Sequence, residues 1–384
     1  MLPHPPPGPA RRRLVALAVA ALIALIAGIV VGAGAGNKAA KHAATVTTPP
    51  ARAVNTAKQL SLERQVGELL MISFRGTTPP AYVRRALRLG RAGGVILFRA
   101  NVPSPAVARA LTSSLQRAGR RRVLIAADQE GGPIRILPWA FPQPAQGNQP
   151  TPEEATRQAK RAVQDLSAAG VNVTLAPVGD VGGPGSVMAG RAFPGGTTDV
   201  SALTAAAVRG YRGTRVAATL KHFPGLGSAG TNTDDAPVTV PSATAGLAVR
   251  DLPPFRAGIA AGAPLVMASH ALYPRLDRRN IASQSRPILT ALLRRKLGFK
   301  GVVITDSMEA AAVLKRSSLE LASLRAVAAG ADILLLTGAG SYPRVYKQLL
   351  AGAKRSARFR ARVAEAAARV IALKRSLGLA APRR

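Results

Sequence analysis

The 384-residue chain has no cysteine, which excludes disulfides, thiolate metal sites and a cysteine nucleophile. Histidine is almost as scarce: only His4, His42, His222 and His270 occur. The first two lie before the region with globular patterning, so a multi-histidine zinc site is short of ligands, and neither metal nor cofactor is expected. Acidic residues number 18 against 53 Lys and Arg, a formal net charge of +35. Such an excess attracts polyanions, whether nucleic acid, anionic lipid or an acidic cell wall. The plain alternative is an Arg- and Ala-rich composition that lifts the pI without a selected partner. Aromatics make up only 4%. No recognised DNA- or RNA-binding motif accompanies the charge, so nucleic acid is not expected as a partner.

What is present begins with an address. Arg11-Arg12-Arg13 precedes an uncharged run over residues 14–36. At ~1.5 Å rise per residue the run would reach ~34 Å, enough to cross a ~30 Å hydrocarbon core. The arginines favour a cytoplasmic tail over residues 1–13 and an exported, membrane-anchored remainder. The small residues Val31-Gly32-Ala33-Gly34-Ala35-Gly36 resemble a cleavage region, so secretion after signal cleavage is the alternative. Residues 37–58 are rich in Ala, Thr, Pro and Lys without apolar periodicity and read as a flexible tether. Residues 59–384 form the expected folded domain.

There, short apolar runs alternate with longer amphipathic stretches. The runs at 69–74, 94–98, 123–127, 171–176, 216–220, 264–269, 302–305 and 332–336 are expected as strands. Helical patterns fall between them, for example at 80–89, 104–118, 152–169, 200–212 and 308–329, with another at 358–377. Near-continuous apolar runs mark strands buried on both faces, the signature of a parallel sheet. Eight such units fit a (β/α)8 barrel. A doubly wound sheet is the structural alternative, because periodicity does not show closure.

Polar residues follow these strands. Asp128-Gln129-Glu130 comes after the third, Asp180 lies beyond the fourth, Lys221-His222 ends the fifth, His270 the sixth and Asp306 the seventh. A barrel would gather them on its C-terminal rim, where such folds place their chemistry.

The segment Lys221-His222-Phe223-Pro224-Gly225-Leu226-Gly227, followed by Asn232-Thr233-Asp234-Asp235-Ala236-Pro237, offers a basic pair able to hold adjacent sugar hydroxyls, then a tight turn. It resembles the KH(F/I)PG loop of glycoside hydrolase family 3, specifically its single-barrel β-N-acetylglucosaminidases. Asp128-Gln129-Glu130-Gly131-Gly132, Gly190-Arg191-Ala192-Phe193 and Val302-Val303-Ile304-Thr305-Asp306-Ser307-Met308 are similar to further motifs of that family, in order. The resemblance covers residues 60 to 340. It implies retaining hydrolysis of a terminal β-linked N-acetylhexosamine from cell-wall or peptidoglycan-derived glycans, with Asp306 as nucleophile and Asp128, Arg191, Lys221 and His222 binding the sugar. Carbohydrate is then the substrate, with anionic cell-wall polymers and the membrane as further partners. A helix N-cap at Asp306, ahead of Ser307-Met308-Glu309, is the structural alternative.

The pattern departs from the family in the loop after the KHFPG motif. Relatives carry an Asp-Ser-His stretch there, and this chain reads Asn232-Thr233-Asp234. Leu226 and Pro133 also replace a common His and Arg. Asp234, with Asp235 raising its pKa, is one candidate acid/base. Another carboxylic acid or the substrate's acetamido group is a second. The third reading is an inactive sugar-binding homologue, and a β-glucosidase is the alternative activity.

Overall fold

The computed structural model describes residues 51–120, 122–241 and 246–379. Its centre is a closed barrel of eight parallel strands: β1 (Leu70–Ile72), β2 (Gly94–Leu97), β3 (Leu124–Ala127), β4 (Val173–Thr174), β5 (Ala217–Phe223), β6 (Leu265–Ala268), β7 (Val302–Ser307) and β8 (Ile333–Leu336). Each strand pairs with its sequence neighbours, and β1 closes on β8 with Leu70 opposite Leu334 and Ile72 opposite Leu336. All eight expected runs hold a barrel strand. Closure excludes the doubly wound alternative.

Successive strand residues point to opposite faces, and the core divides accordingly. Met71, Ile96, Leu124, Ala126, Val173, Leu265, Met267, Val302, Ile304, Ile333 and Leu335 form one cluster inside the barrel. Their neighbours Leu70, Ile72, Val95, Leu97, Ile125, Val266, Val303 and Leu334 belong to the larger layer packed beneath the helices. The helix Ala357–Ser376 supplies Val370 and Leu373 to the inner cluster, joined by Leu377 beyond its end. It therefore forms the floor of the barrel.

Asp332, just before β8, is fully buried and ionically paired with Arg294, Arg362 and Arg369, and it also accepts from the Val303 N–H at 2.9 Å. Arg362 and Arg369 come from the floor helix, so this cluster bolts that helix to the strand bases. Helix starts follow capping chemistry visible in the sequence. Ser104 and Thr151 accept from the N–H groups of Val107 and Glu154, each followed by Pro in the first turn.

Two expectations are corrected. The tether was expected to run to residue 58, but Ala51–Gln59 is helical, with Ala53 and Ala57 buried and Thr56 bonded by Arg375. Its alanines are helix formers whose small faces suit close packing rather than low-complexity spacer. The expected helix over 308–329 is two pieces, Ala311–Leu314 and Leu319–Ala329, because Ser318 caps the second by accepting from the Leu321 N–H. The expectations for 1–13, 14–36 and 37–50 lie outside the described residues. Among those described, no helix is long and apolar enough to cross a membrane.

Candidate active site

The C-terminal strand ends gather the polar residues in one place. β5 carries Lys221 and His222. The chain after β4 runs alongside it, through a Val178–Lys221 bridge and a 2.7 Å bond from the Gly179 N–H to the Lys221 carbonyl, which sets Asp180 beside His222. Gly227 permits the close return of the loop, since a Cβ there would sit 2.0 Å from the Val181 carbonyl oxygen.

Lys221 is only 2% exposed, and its ammonium contacts Asp128 Oδ1 and Glu130 Oε1, each at 2.6 Å. Glu130 in turn accepts two bonds from Arg191, Nε to Oε2 at 3.0 Å and Nη2 to Oε1 at 2.8 Å. Burial alone would push the Glu130 carboxyl up, but Lys221 and Arg191 outweigh it and hold its pKa down at about 2. Between Asp128 and Glu130, Gln129 faces the other way and bonds the backbone of Leu137 and Ala140, fixing the loop behind. The basic pair therefore differs from two free donors. Lys221 is a shared counter-ion beneath the pocket with one ammonium proton left over. His222 spends Nδ1 on Asp180 Oδ2 at 2.7 Å, leaving Nε2 4.0 Å from Asp306 Oδ2.

Asp306 lies in β7, and its Oδ1 accepts from the Ser307 N–H at 2.8 Å. Burial pushes its carboxyl up, yet the His222 and His270 rings, the Ser307 bond and Lys221 together hold it below the usual range. No helix starts here: the next one is Ala311–Leu314, with Ala310 at its cap. The N-cap alternative for Asp306 is thus excluded. His270 is fully buried, with Nδ1 2.7 Å from Ser283 Oγ, and burial pushes its ring pKa down.

Above Asp306 opens a cavity of about 340 Å³, bordered by Ile96, Phe98, Asp128, Asp234, Glu309 and Thr337 among others, within the ~300–1,000 Å³ span of small-molecule sites. Asp234 reaches it because its loop is pinned down: the Ala311 and Ala312 N–H groups bond the carbonyls of Asp234 and Thr233 at 3.0 and 3.1 Å. The carboxyls on this cavity differ in their freedom. Asp128 is tied to Lys221, Asp306 accepts from Ser307, and Glu309 accepts from the Thr337 N–H at 2.9 Å and the Ser341 hydroxyl at 2.6 Å. Among the described residues the Asp234 carboxyl accepts only a long 3.4 Å side-chain bond, from Asn232. Partial burial raises its pKa, and Asp306 is the next cause; Asp235 contributes least of the causes. The expected influence of Asp235 is real but minor.

All six candidates, Asp128, Arg191, Lys221, His222, Asp234 and Asp306, therefore belong to this rim. Sequence reasoning gave no role to Glu130, Asp180 or Glu309. Glu130 was findable, because it lies two residues from Asp128 and so shares its face. Asp251 was also missed. Both of its buried carboxyl oxygens lack a hydrogen-bond partner among the described residues, and burial lifts its pKa to about 7. It lies under the KHFPG turn, where a Cβ on Gly225 would come within 2.5 Å of its own Cβ.

The family model for the glycosyl hydrolase family 3 N terminal domain matches residues 61–373. A beta-hexosaminidase of Xanthomonas oryzae pv. oryzae is 34% identical over 278 residues, 70% of this chain and 83% of the relative. Among solved structures, a glycoside hydrolase family 3 beta-N-acetylglucosaminidase from Paenibacillus sp. has a TM-score of 0.78 at 34% identity, covering 83% of this chain and 63% of its own. A beta-N-acetylhexosaminidase from Beutenbergia cavernae has a TM-score of 0.76 at 34% identity, covering 82% of this chain and 99% of its own.

Proposed function

The chain belongs to glycosyl hydrolase family 3, and on that premise we propose that it is a β-N-acetylhexosaminidase releasing terminal β-linked N-acetylglucosamine by a retaining mechanism. Asp306, ionised at the base of the cavity, attacks the anomeric carbon and forms a covalent glycosyl-enzyme. Asp234 protonates the departing oxygen, then takes a proton from the water that frees the sugar. Arg191, Lys221 and Asp128 hold the ring from below, and Asp180 orients His222 against the nucleophile. The observation that carries this reading is the contrast across one cavity, where Asp306 accepts from the Ser307 N–H and faces His222 while Asp234 accepts only a long 3.4 Å bond from Asn232 among the described residues.

The test uses purified protein and p-nitrophenyl N-acetylglucosaminide. Asp306→Asn should lower kcat by at least about 10³-fold, as loss of a nucleophile does. Asp234→Ala should abolish cleavage of poor leaving groups, spare activated aryl glycosides and be rescued by azide. Unchanged rates in Asp234→Ala on N-acetylglucosaminides with poor leaving groups would remove it from the mechanism. No release by the unmutated protein would favour an inactive sugar-binding homologue, the reading that the missing loop histidine supports.

The proposal extends to location. Residues 14–36 anchor the chain, or leave as a cleaved signal, residues 1–13 stay in the cytoplasm, and the barrel faces wall-derived glycans outside. The uncharged run behind three arginines supports this placement, and the net charge of +35 supports attraction to anionic wall polymers.

A further inference from the structure

Asp251 caps the helix Leu252–Ala260 in position but not in chemistry. A capping carboxylate accepts from the N–H of the second or third helical residue. Here those residues are Pro253 and Pro254, which have no N–H to give. The side chain is buried, and both carboxyl oxygens lack a hydrogen-bond partner among the described residues. Directly against it lies the turn that follows the basic pair. A Cβ on Gly225 would stand 2.5 Å from the Asp251 Cβ, 3.1 Å from its carboxyl carbon and 3.3 Å from Oδ1.

That turn links Asp251 to the active site. The Gly225 N–H bonds the His222 carbonyl at 2.9 Å, the Leu226 N–H bonds Asp180 Oδ1 at 2.7 Å, and the Tyr273 hydroxyl donates to the Gly225 carbonyl at 2.8 Å. Arg250 Nη2 ties two loops together by donating to the carbonyls of Val181 at 2.8 Å and Gly227 at 3.4 Å. Of the charges near Asp251, Arg250 favours an ionised carboxyl, whereas Asp180, itself bonded to His222, opposes one. On the helices Thr197–Tyr211 and Leu252–Ala260, Asp199 is spent on the Gly196 N–H, and Arg209 and Arg256 are exposed. Burial is the largest influence; it outweighs Arg250 and, with Asp180, lifts the carboxyl to about 7. Burial also keeps the Tyr273 phenol well above its ordinary value, so it holds its proton throughout.

We propose that Asp251 is a positioning residue, an acid kept neutral under the turn so that residues 221–227 stay seated and His222 stays aimed at Asp306. Once ionised, the carboxylate has to find a donor, because a buried charge without one is costly. Its sources are Arg250, drawn off the carbonyls of Val181 and Gly227, and water admitted beneath the turn. Either one loosens the loop and lowers activity.

The test follows pH in the unmutated protein and in Asp251→Asn, which keeps the shape and cannot ionise. At about pH 6 the two should cleave an activated aryl N-acetylglucosaminide with kcat/KM within about twofold of each other. Such a substrate depends least on Asp234, so its alkaline limb isolates Asp251. Above about pH 7, kcat/KM of the unmutated protein should fall by up to about tenfold per pH unit, the slope of one lost proton, while Asp251→Asn stays nearly level. Stability gives a second arm. An acid whose folded pKa is raised contributes stability that is complete below its unfolded value and is lost as pH rises through the folded one. The ratio of unfolding constants in urea, unmutated over variant, should therefore rise by up to about tenfold per pH unit from about 4 to about 7, then level off. A third arm needs no variant: by NMR, the carboxyl carbon of Asp251 and the amides of Gly225 and Leu226 should share one titration midpoint, about 7. Identical alkaline limbs, a ratio flat with pH, or an Asp251 titration that leaves the Gly225 amide unmoved would each overturn the inference and leave the glycosidase reading intact. Only the activity arm rests on that reading. A protein inactive on the aryl glycoside overturns the glycosidase reading alone, and the stability and NMR arms still decide the role of Asp251.

Discussion

Two aspartates of one cavity are pushed in opposite directions, Asp306 down by its histidines and the Ser307 N–H, and Asp234 up by burial and by Asp306 itself. A nucleophile must be ionised and a general acid protonated, so the signs fix the shape of the pH profile. Activity should fall on the acid side as pH drops through the depressed Asp306 value, below the ordinary carboxylate range. On the alkaline side it should fall as pH rises through the elevated Asp234 value. The coupling is directly measurable. In Asp306→Asn the carboxyl carbon of Asp234 should titrate at lower pH by NMR, and an unmoved midpoint would show that the two do not interact. At this scale the sequence disclosed the residues whose types are chemically committed, such as Asp306 at a strand end and the Lys221-His222 pair. It did not disclose that Lys221 is spent on Asp128 and Glu130, or that Asp180 fixes His222. Those partners lie 93, 91 and 42 positions away along the chain, and only the barrel brings them together.

At the level of elements, the strands were legible because each is a short apolar run, buried on both faces. The helices were less so. Ala51–Gln59 has a composition that suits a spacer as well as a helix, and its packing partner lies at the far end of the chain: Arg375 bonds Thr56. The break within 308–329 turns on a single hydroxyl, Ser318, which competes with helix continuation by capping instead. The floor helix and the strand bases meet at Asp332, buried under three arginines. Asp332→Ala should cost about 3–5 kcal/mol in urea unfolding, because it leaves guanidinium groups buried without their counter-ion. Those partners hold the Asp332 pKa below its usual value. Its contribution is therefore complete above the ordinary aspartate pKa and is lost as pH falls through the depressed one. A variant as stable as the parent would show that the cluster is not a fastening.

For the whole molecule, composition disclosed the cationic excess. Periodicity suggested eight units, but closure needed the β1–β8 pairing, a contact between opposite ends of the barrel sequence. The cationic excess, a formal net charge of +35 for the whole chain, acts at long range and is screened by ions, with a Debye length of ~10 Å at 0.1 M. Adsorption to isolated anionic wall polymer should therefore fall steeply with added salt, while turnover of a neutral aryl glycoside changes little. Adsorption indifferent to salt would leave the surface charge without a partner.

The β1–β8 seam and the helical floor also set a timetable for synthesis. Neither β1 nor its neighbours can complete the ring until residue 336 has been made, and the floor comes later still, with residues 357–376. Any strands paired before then would have open edges and an uncovered apolar face, the kind of surface that aggregates. Molecular chaperones, or passage through a channel in extended form, would shield it during that interval.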